Sequence, residues 1–293
     1  MSPTRSSDSR PAAVAGTWYP ATAGALAREL DGYLASTPTP APAMLDGSVT
    51  AIIAPHAGLM YSGAVAAHAY AVATAIPFEL VVLVGPSHYV GFDGVALDDH
   101  GAFETPLGPL RLESVCAADL ASSAVVEVNR AAHQREHSLE LQFPFLKHLL
   151  PDAPIVPLVM GFQTAATIAA LADALVDSLA ERRALLVAST DLAHYVDAER
   201  AEALAAPVLG AVRSLDPAAW GAELERYPEA DRGRFVACGG GPAVAVMDAA
   251  RRLGATDGVV LRYGDSGDVS GDKDSVVAYL AAAFGRFSRT VAR

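Results

Sequence analysis

Three short apolar runs, each followed at once by a polar turn, constrain the fold of this chain more than any other feature. They cover residues 50–54, 80–84 and 184–188 and have the length and composition of buried strands. Segments with helical periodicity separate them. Strands that alternate with helices indicate a sheet covered by helices on both faces. We therefore expect a single α/β domain built on a central, mostly parallel or mixed sheet.

The limits of that domain follow from composition. Residues 1–12 are small, polar and charged without periodicity, which predicts a disordered N-terminal tail. Residues 13–287 form the predicted domain, and residues 288–293 a C-terminal tail. A proline-rich connector at 37–43 follows a predicted helix at 24–34. With 293 residues, 52% of them hydrophobic, the chain is long enough to bury one large core.

Charge and cysteine content exclude several classes of protein. The net charge is −12, and only Lys147 and Lys273 are lysines, so no basic stripe suits nucleic acid or an anionic membrane. Two cysteines exclude a disulfide scaffold and favour a reducing compartment. No apolar run reaches the length of about twenty residues that spans a membrane, and residues 1–12 lack the apolar core of a secretion signal. We expect a cytoplasmic protein.

Histidines in two of the strand-end turns and a cysteine elsewhere predict a metal site. His56 and His88 each follow a predicted strand, and ligands of open α/β sheets bind beyond the carboxyl ends of the strands. Cys238 precedes three glycines and a predicted helix, a position that favours the thiolate. Imidazole and thiolate are common ligands of iron, copper and zinc. One histidine alone would more often bond the backbone, and Cys238 has two other interpretations, a nucleophile or a small buried hydrophobe.

Asp191 and His194 follow the third apolar run. A carboxylate three residues from an imidazole is typical of a pair in which the acid orients a proton-transferring histidine. The alternative is that Asp191 caps a helix, which leaves His194 and Tyr195 unexplained. We favour the first interpretation.

His137 and Glu140 lie in a predicted helix at 136–149. At a spacing of three they share a helix face, and Glu-x-x-His pairs bind di-iron in helical bundles. The order is reversed here, so the spacing alone favours an exposed polar face.

Several motifs taken together resemble the Memo family, in family order and from about residue 10 to residue 286. Prokaryotic members are called AmmeMemoRadiSam system protein B, because they occur alongside an AMMECR-type protein and a radical-SAM protein. The motifs are Ala15-Gly16-Thr17-Trp18-Tyr19-Pro20, Pro55-His56-Ala57-Gly58 with Tyr61-Ser62-Gly63, Gly85-Pro86-Ser87-His88, Glu136-His137-Ser138-Leu139-Glu140, Ser189-Thr190-Asp191-Leu192-Ala193-His194-Tyr195, Cys238-Gly239-x-x-Pro242, and Tyr263 through Gly271 with Ser275-Val276-Val277-Ala278-Tyr279.

This resemblance implies a fold similar to the class III extradiol dioxygenases, which use non-haem iron. It implies an iron or copper site formed by His56, His88 and Cys238. It also assigns Asp191 and His194 to the pocket and brings His137, Glu140 and Tyr195 close to it. Tyr89 stands where some relatives have a further histidine.

From these observations we expect a metal-dependent redox enzyme acting on an unknown small substrate. Fe(II) is the expected ion, with Cu(I), Cu(II) or Zn(II) as alternatives, and His194 oriented by Asp191 would move a proton. A protein that binds metal or a peptide without turnover is the main alternative, since the site has a thiolate where the iron dioxygenases have a carboxylate. A zinc hydrolase is a further, less favoured alternative. The family's gene neighbours suggest a functional link to AMMECR-type and radical-SAM proteins.

Overall fold

A nine-stranded mixed sheet forms the centre of the molecule in the computed structural model, which describes residues 8–37, 49–73 and 77–287. The strands of the described residues are β1 (Ser9–Arg10), β2 (Val49–Ala54), β3 (Leu80–Pro86), β4 (Val95–Leu97), β5 (Ala102–Phe103), β6 (Leu110–Arg111), β7 (Val126–Val128), β8 (Ile155–Met160), β9 (Ala184–Ser189), β10 (His194–Val196), β11 (Asp257–Asp265) and β12 (Val276–Gly285). The large sheet has the order β10-β12-β2-β9-β3-β8-β4-β7, with β11 also paired to β12, and its four central strands β2, β9, β3 and β8 are parallel. Strands β1, β5 and β6 form a separate small sheet.

Helices pack on both faces of the large sheet. Those of the described residues are α1 (Ala23–Ser36), α2 (Leu59–Ala73), α3 (Ser114–Ala121), α4 (Arg130–His133), α5 (Phe143–Leu149), α6 (Ala165–Leu179), α7 (Ala198–Ser214), α8 (Pro217–Glu225), α9 (Glu229–Phe235), α10 (Gly240–Arg252) and α11 (Gly267–Ser270). Within the described ranges, none of these helices has both the length and the apolar character that crossing a membrane requires.

Alternating side chains of the central strands supply two separate cores. Ile53, Val82 and Leu186 pack against α3, α6, α7, α8 and α10 on one face. Their chain neighbours Ile52, Leu83 and Val187 pack against α1, α2 and α5 on the other. Because successive residues of a strand point to opposite faces, a strand buried on both sides must be apolar throughout. This explains the uninterrupted apolar runs and confirms the predicted α/β domain with a mixed sheet between two helical layers.

The register of three neighbouring strands brings their polar turns to one edge. Ala54 of β2 pairs with Ser189 of β9, and Val84 of β3 pairs with Ala188. Since these strands are parallel, the residues that follow them leave the sheet side by side. The turns that begin with Pro55, Ser87 and Thr190 therefore lie at the same carboxyl edge of the sheet.

The predicted N-terminal tail is too long. Ser9–Arg10 forms β1, which pairs in parallel with β5, and the Arg10 side chain is buried. Its guanidinium donates to the Glu140 carboxylate and to the carbonyls of His133 and Glu136, which satisfies the buried charge. The folded region thus includes residues predicted to be disordered. Residues 1–7, most of the proline-rich connector (38–43) and the predicted C-terminal tail lie outside the described residues.

The predicted helix at 136–149 is also wrong in its first half. A 3-10 turn at Glu140–Gln142 leads into α5, which begins at Phe143. Proline is favoured in the first turn of a helix because it has no N–H to donate, and Pro144 occupies that place. The preceding residues form a turn instead, in which the Glu136 carboxylate accepts hydrogen bonds from the backbone N–H groups of His137 and Ser138.

Two glycine-to-alanine substitutions, one in β11 and one in α7, test how closely these elements pack, and we expect them to change the free energy of unfolding in opposite directions. A Cβ added to Gly258 in β11 would lie 1.9 Å from the carbonyl oxygen of Val212 in α7, whereas one added to Gly210 of α7 would meet nothing within 4 Å. We expect Gly258→Ala to lower the free energy of unfolding by about 1–3 kcal/mol, since backbone must move. Gly210→Ala should raise it by about 0.5–1 kcal/mol, because alanine is the better helix former. Urea unfolding curves measure both, and equal stability of Gly258→Ala and the unmodified protein would contradict the close approach of β11 and α7.

Candidate metal centre

The hydroxyl of Ser189, whose hydrogen-bonding capacity is fully used, fixes the ring of His56, the second residue after β2. Ser189 Oγ donates its one proton to the carbonyl of Ser138 (2.6 Å) and accepts from Gln142 Nε2 (2.8 Å). Its contact with His56 Nδ1 (3.0 Å) must therefore be a hydrogen bond donated by the imidazole. The backbone N–H of His56 donates to Asp191 Oδ1 (2.7 Å). The ring is buried, and Nε2 is the nitrogen left to face other ligands.

A carboxylate fixes His88 in the same way. The backbone N–H and the ring Nδ1 of His88 lie 2.6 and 2.9 Å from the two oxygens of Glu136. A carboxylate only accepts, so Nδ1 donates and Nε2 is again the free nitrogen. Burial raises the pKa of Glu136, but the hydrogen bonds and charge of His88 outweigh it and lower that pKa to about 2. His88 is at the rim of the site, with 27% of its side-chain surface accessible.

His137 joins the two histidines from the turn that precedes α5. Its ring centroid lies 4.5 Å from that of His88 and 5.6 Å from that of His56. One ring nitrogen from each of the three histidines lies within 4.8 Å of the other two. Burial and the neighbouring charges of His56 and His88 lower the pKa of His137 to about 3, which leaves a neutral imidazole near neutral pH. The hydroxyl of Tyr89 lies 3.3 Å from His137 Nδ1, so this tyrosine contacts the cluster by its own polar group.

Cys238 places its sulfur beside the histidines. Its Sγ lies 3.2 Å from His56 Nε2, and the Gly239 N–H donates to Thr190 Oγ1 (2.9 Å). A Cβ at Gly239 would lie 2.5 Å from the carbonyl oxygen of Ser189, so only glycine lets this turn approach β9 so closely. Although burial raises the pKa of the Cys238 thiol, the charge of His56 and hydrogen bonds from His56 and His88 lower it well below its usual value.

The four side chains form a donor set that fits a transition metal. Imidazole nitrogen and thiolate sulfur bind zinc, iron or copper at about 2.0–2.3 Å, which places the ligand atoms of one ion about 3–4 Å apart. One ring nitrogen of each of His56, His88 and His137 lies within 4.8 Å of the others, and Cys238 Sγ lies 3.2 Å from His56 Nε2. Small movements of these side chains would bring their donor atoms to such distances. The structure thus brings the three expected ligands close together and places His137 beside them. The family resemblance had implied that position for His137, whereas the residue spacing alone had favoured an exposed face.

Three supporting residues were not recognised in the sequence. Glu136 and Ser189 stood inside the quoted motifs, and their polar side chains next to predicted site residues were the available signal. Gln142 carried no such signal, because its position depends on the 3-10 turn that replaces the predicted helix.

The proposed orientation of His194 by Asp191 is wrong. The Asp191 carboxylate instead accepts from the backbone of His56, and His194 Nδ1 donates to the carbonyl of Gly233 (2.7 Å). His194 Nε2 is therefore free, and the side chain lines one cavity together with Tyr195, His88 and Cys238. The capping alternative for Asp191 is wrong as well, since Asp197 caps the next helix, α7.

Glu140 lies outside the cluster and holds the N-terminal segment. Its carboxylate accepts hydrogen bonds of 2.8–2.9 Å from Arg10 Nη1, from the N–H groups of Ala13 and Val14, and from the Tyr19 hydroxyl. This segment carries Trp18, whose ring centroid lies 4.4 Å from that of His137. Glu140 therefore supports the site indirectly, through Trp18, and is not one of its ligands.

Replacing Glu140 tests that indirect role. In Glu140→Gln the buried Arg10 charge loses its nearer carboxylate (2.8 Å, against 4.0 Å for Asp98), so we expect the free energy of unfolding to fall by about 3–5 kcal/mol. Trp18 should also become more exposed, giving red-shifted fluorescence in a Trp220→Phe background. Glu127→Gln, an exposed position on β7, is the control and should change neither quantity. Unchanged stability and emission in Glu140→Gln would contradict the anchoring.

Comparisons with known proteins find relatives that match most of the chain. The family model for Memo-like proteins matches residues 10–283. A MEMO1 family protein of Methanothermobacter thermautotrophicus is 37% identical over 275 residues, which cover 91% of this chain and 97% of the relative. One from Methanopyrus kandleri is 36% identical over 286 residues, covering 94% and 99%.

A solved structure supports the fold. An uncharacterised protein of Escherichia coli K12 superposes with a TM-score of 0.52 over 80% of this chain and 99% of its own, at 13% sequence identity. At this identity the likeness concerns the fold alone. The family match over most of the chain, together with the two archaeal relatives, establishes that this chain belongs to the Memo family.

Proposed function

We propose that this protein binds one redox-active transition metal ion and uses it to oxidise or reduce a small substrate. His56, His88 and Cys238 would hold the ion, with His137 as a further donor. The observation that carries the proposal is the convergence of these groups at the edge of the sheet: the two strand-end imidazoles are each fixed through Nδ1, which leaves Nε2 available, and the Cys238 thiolate lies beside them.

Iron(II) is the first candidate and copper the second. The expected likeness to class III extradiol dioxygenases favours iron, while a thiolate in place of their carboxylate ligand also suits Cu(I) or zinc. Once bound, the ion would supply Lewis acidity and one-electron redox chemistry. The protein's part is to keep two imidazoles in one orientation, through Ser189 and Glu136, and to leave an opening beside His88.

His194 is the proposed proton-transfer residue. Because Gly233 accepts from Nδ1, the lone pair on Nε2 of the neutral ring is free to take a proton from a substrate in the cavity. A backbone carbonyl fixes His194 as the tautomer that is protonated on Nδ1, so the orientation of the ring does not depend on the ionisation of a carboxylic acid.

Metal or peptide binding without turnover remains the second candidate, and a separate cavity favours it. This cavity of about 480 Å³ is on the Trp18 side and is also lined by Met60, Tyr61, Val277 and Tyr279. Its aromatic and apolar side chains suit an extended segment of a partner more than a small polar substrate.

Metal analysis of ligand variants tests the site. Protein purified without oxygen should carry about one iron or copper ion per chain, and the His56→Ala/His88→Ala/Cys238→Ala variant should carry none, because the donors are removed. Cys116→Ala removes the other thiol, in α3, and should keep the metal. A full complement of metal in the triple variant would refute the assignment. Activity with Zn(II) alone would favour the zinc hydrolase over a redox enzyme.

A substitution at His194 separates catalysis from binding. Asparagine keeps a donor near Nδ1 for the Gly233 carbonyl and removes the free Nε2, so His194→Asn should keep the metal and lower kcat by about 10²–10⁴-fold. The measurement is oxygen consumption in a screen of small oxidisable substrates. An unchanged kcat would exclude His194 as the proton-transfer residue. Absence of turnover by the metal-loaded, unmodified protein throughout the screen would favour the binding protein.

A further inference from the structure

A cavity of about 500 Å³ adjoins the histidine cluster. Its lining residues are His88, His194, Tyr195, Gly233, Arg234 and Cys238. Its size is that of a site for a small molecule. Two of these side chains belong to the proposed metal site and one to proton transfer, which leaves Tyr195 and Arg234 without a role.

Arg234 brings an unpaired positive charge to this cavity. It is an exposed residue near the end of α9, and its guanidinium lies 5.4 Å from the centroid of the Phe235 ring. Arg226 pairs with Glu223 and Arg251 pairs with Asp248, each with an acid three residues earlier in the chain. Among the described residues, by contrast, no carboxylate oxygen lies within 4.0 Å of the Arg234 guanidinium. None of the six lining residues is acidic.

Tyr195 has a costly backbone conformation at the same cavity. Its φ is +57°, in the left-handed region that bulky residues rarely adopt, and its side chain is 70% exposed. Such a conformation is strained, and it recurs where a residue contacts a ligand. The ring centroid lies 5.7 Å from that of His194. The strained backbone thus holds an exposed aromatic ring next to the His194 ring.

We propose that this cavity is the substrate site and that Arg234 selects a substrate with an oxyanion group, a carboxylate or a phosphate. The planar guanidinium presents paired N–H donors that match the two oxygens of such a group. Tyr195 contacts the carbon skeleton next to the anion. In a chain with net charge −12, an arginine at the cavity also offsets the repulsion that an anionic substrate meets elsewhere.

This inference rests on the proposed function in one respect, the assumption that the substrate reacts beside the histidine cluster. Arg234 touches the substrate in this account but not the reacting atoms. It determines which molecules bind and how they are oriented, with the anion at α9 and the reactive end directed at His88 and Cys238.

Calorimetric titration with simple probes tests the inference. The probes are benzoate, phenyl phosphate and neutral benzamide, titrated into the purified protein, into Arg234→Gln and into Arg213→Gln, an exposed control at the end of α7. We expect one or both anions to bind the unmodified protein and to bind Arg234→Gln about tenfold or more weakly, as when a charged hydrogen bond is lost. Arg213→Gln should match the unmodified protein, and benzamide should not distinguish the three.

The two anions separate the two oxyanion groups, since tighter binding of benzoate assigns a carboxylate and tighter binding of phenyl phosphate assigns a phosphate. Tyr195→Ala should weaken both aromatic anions and leave acetate unaffected. Equal binding to the unmodified protein and Arg234→Gln, or no binding of either anion, would overturn the inference. Metal content measured on the same samples keeps the two proposals distinct. If the unmodified protein carries metal but binds neither anion, only this inference is refuted. If it binds the anions through Arg234 but takes up no metal, only the proposed metal centre is refuted.

Discussion

The rest of the site depends on two hydrogen bonds that take Nδ1 of His56 and of His88 out of use. Ser189 accepts one and Glu136 the other, and both acceptors have their remaining capacity committed to the backbone and side chains around them. Each ring is thereby left with Nε2 available, and that of His56 lies 3.2 Å from Cys238 Sγ. The positions of these groups follow from the sheet, because β2, β9 and β3 are parallel neighbours whose carboxyl ends are in register.

Two buried carboxylates are each paired with a basic side chain, and both pairs support the site. Glu136 pairs with His88 at the rim, and Glu140 pairs with Arg10 while gathering the N–H groups of the N-terminal segment. Unpaired charges in such places would cost several kcal/mol. The short turn between Glu136 and Glu140 therefore has two functions, one side chain fixing a histidine and the other fixing the segment that carries Trp18.

Much of the fold could be predicted from the sequence, because a strand buried on both faces must be uniformly apolar and three such strands are present. The meeting of His56 and His88 was predicted because strand ends of a parallel sheet share an edge, and the family resemblance placed Cys238 with them. What could not be predicted depended on tertiary partners. Arg10 is ordered by Glu140, far away in the chain, and the partner of His194 is a carbonyl in α9. His137 required a turn where the periodicity indicated a helix.

X-ray absorption at the metal edge of the iron- or copper-loaded protein tests the central claim most directly, that the thiolate of Cys238 and the fixed imidazoles bind one ion. The account predicts one sulfur neighbour at about 2.3 Å together with nitrogen neighbours at about 2.0–2.1 Å. In Cys238→Ala the sulfur contribution should disappear while the imidazole nitrogens remain. A spectrum of the unmodified protein that contains only nitrogen and oxygen neighbours would contradict the account.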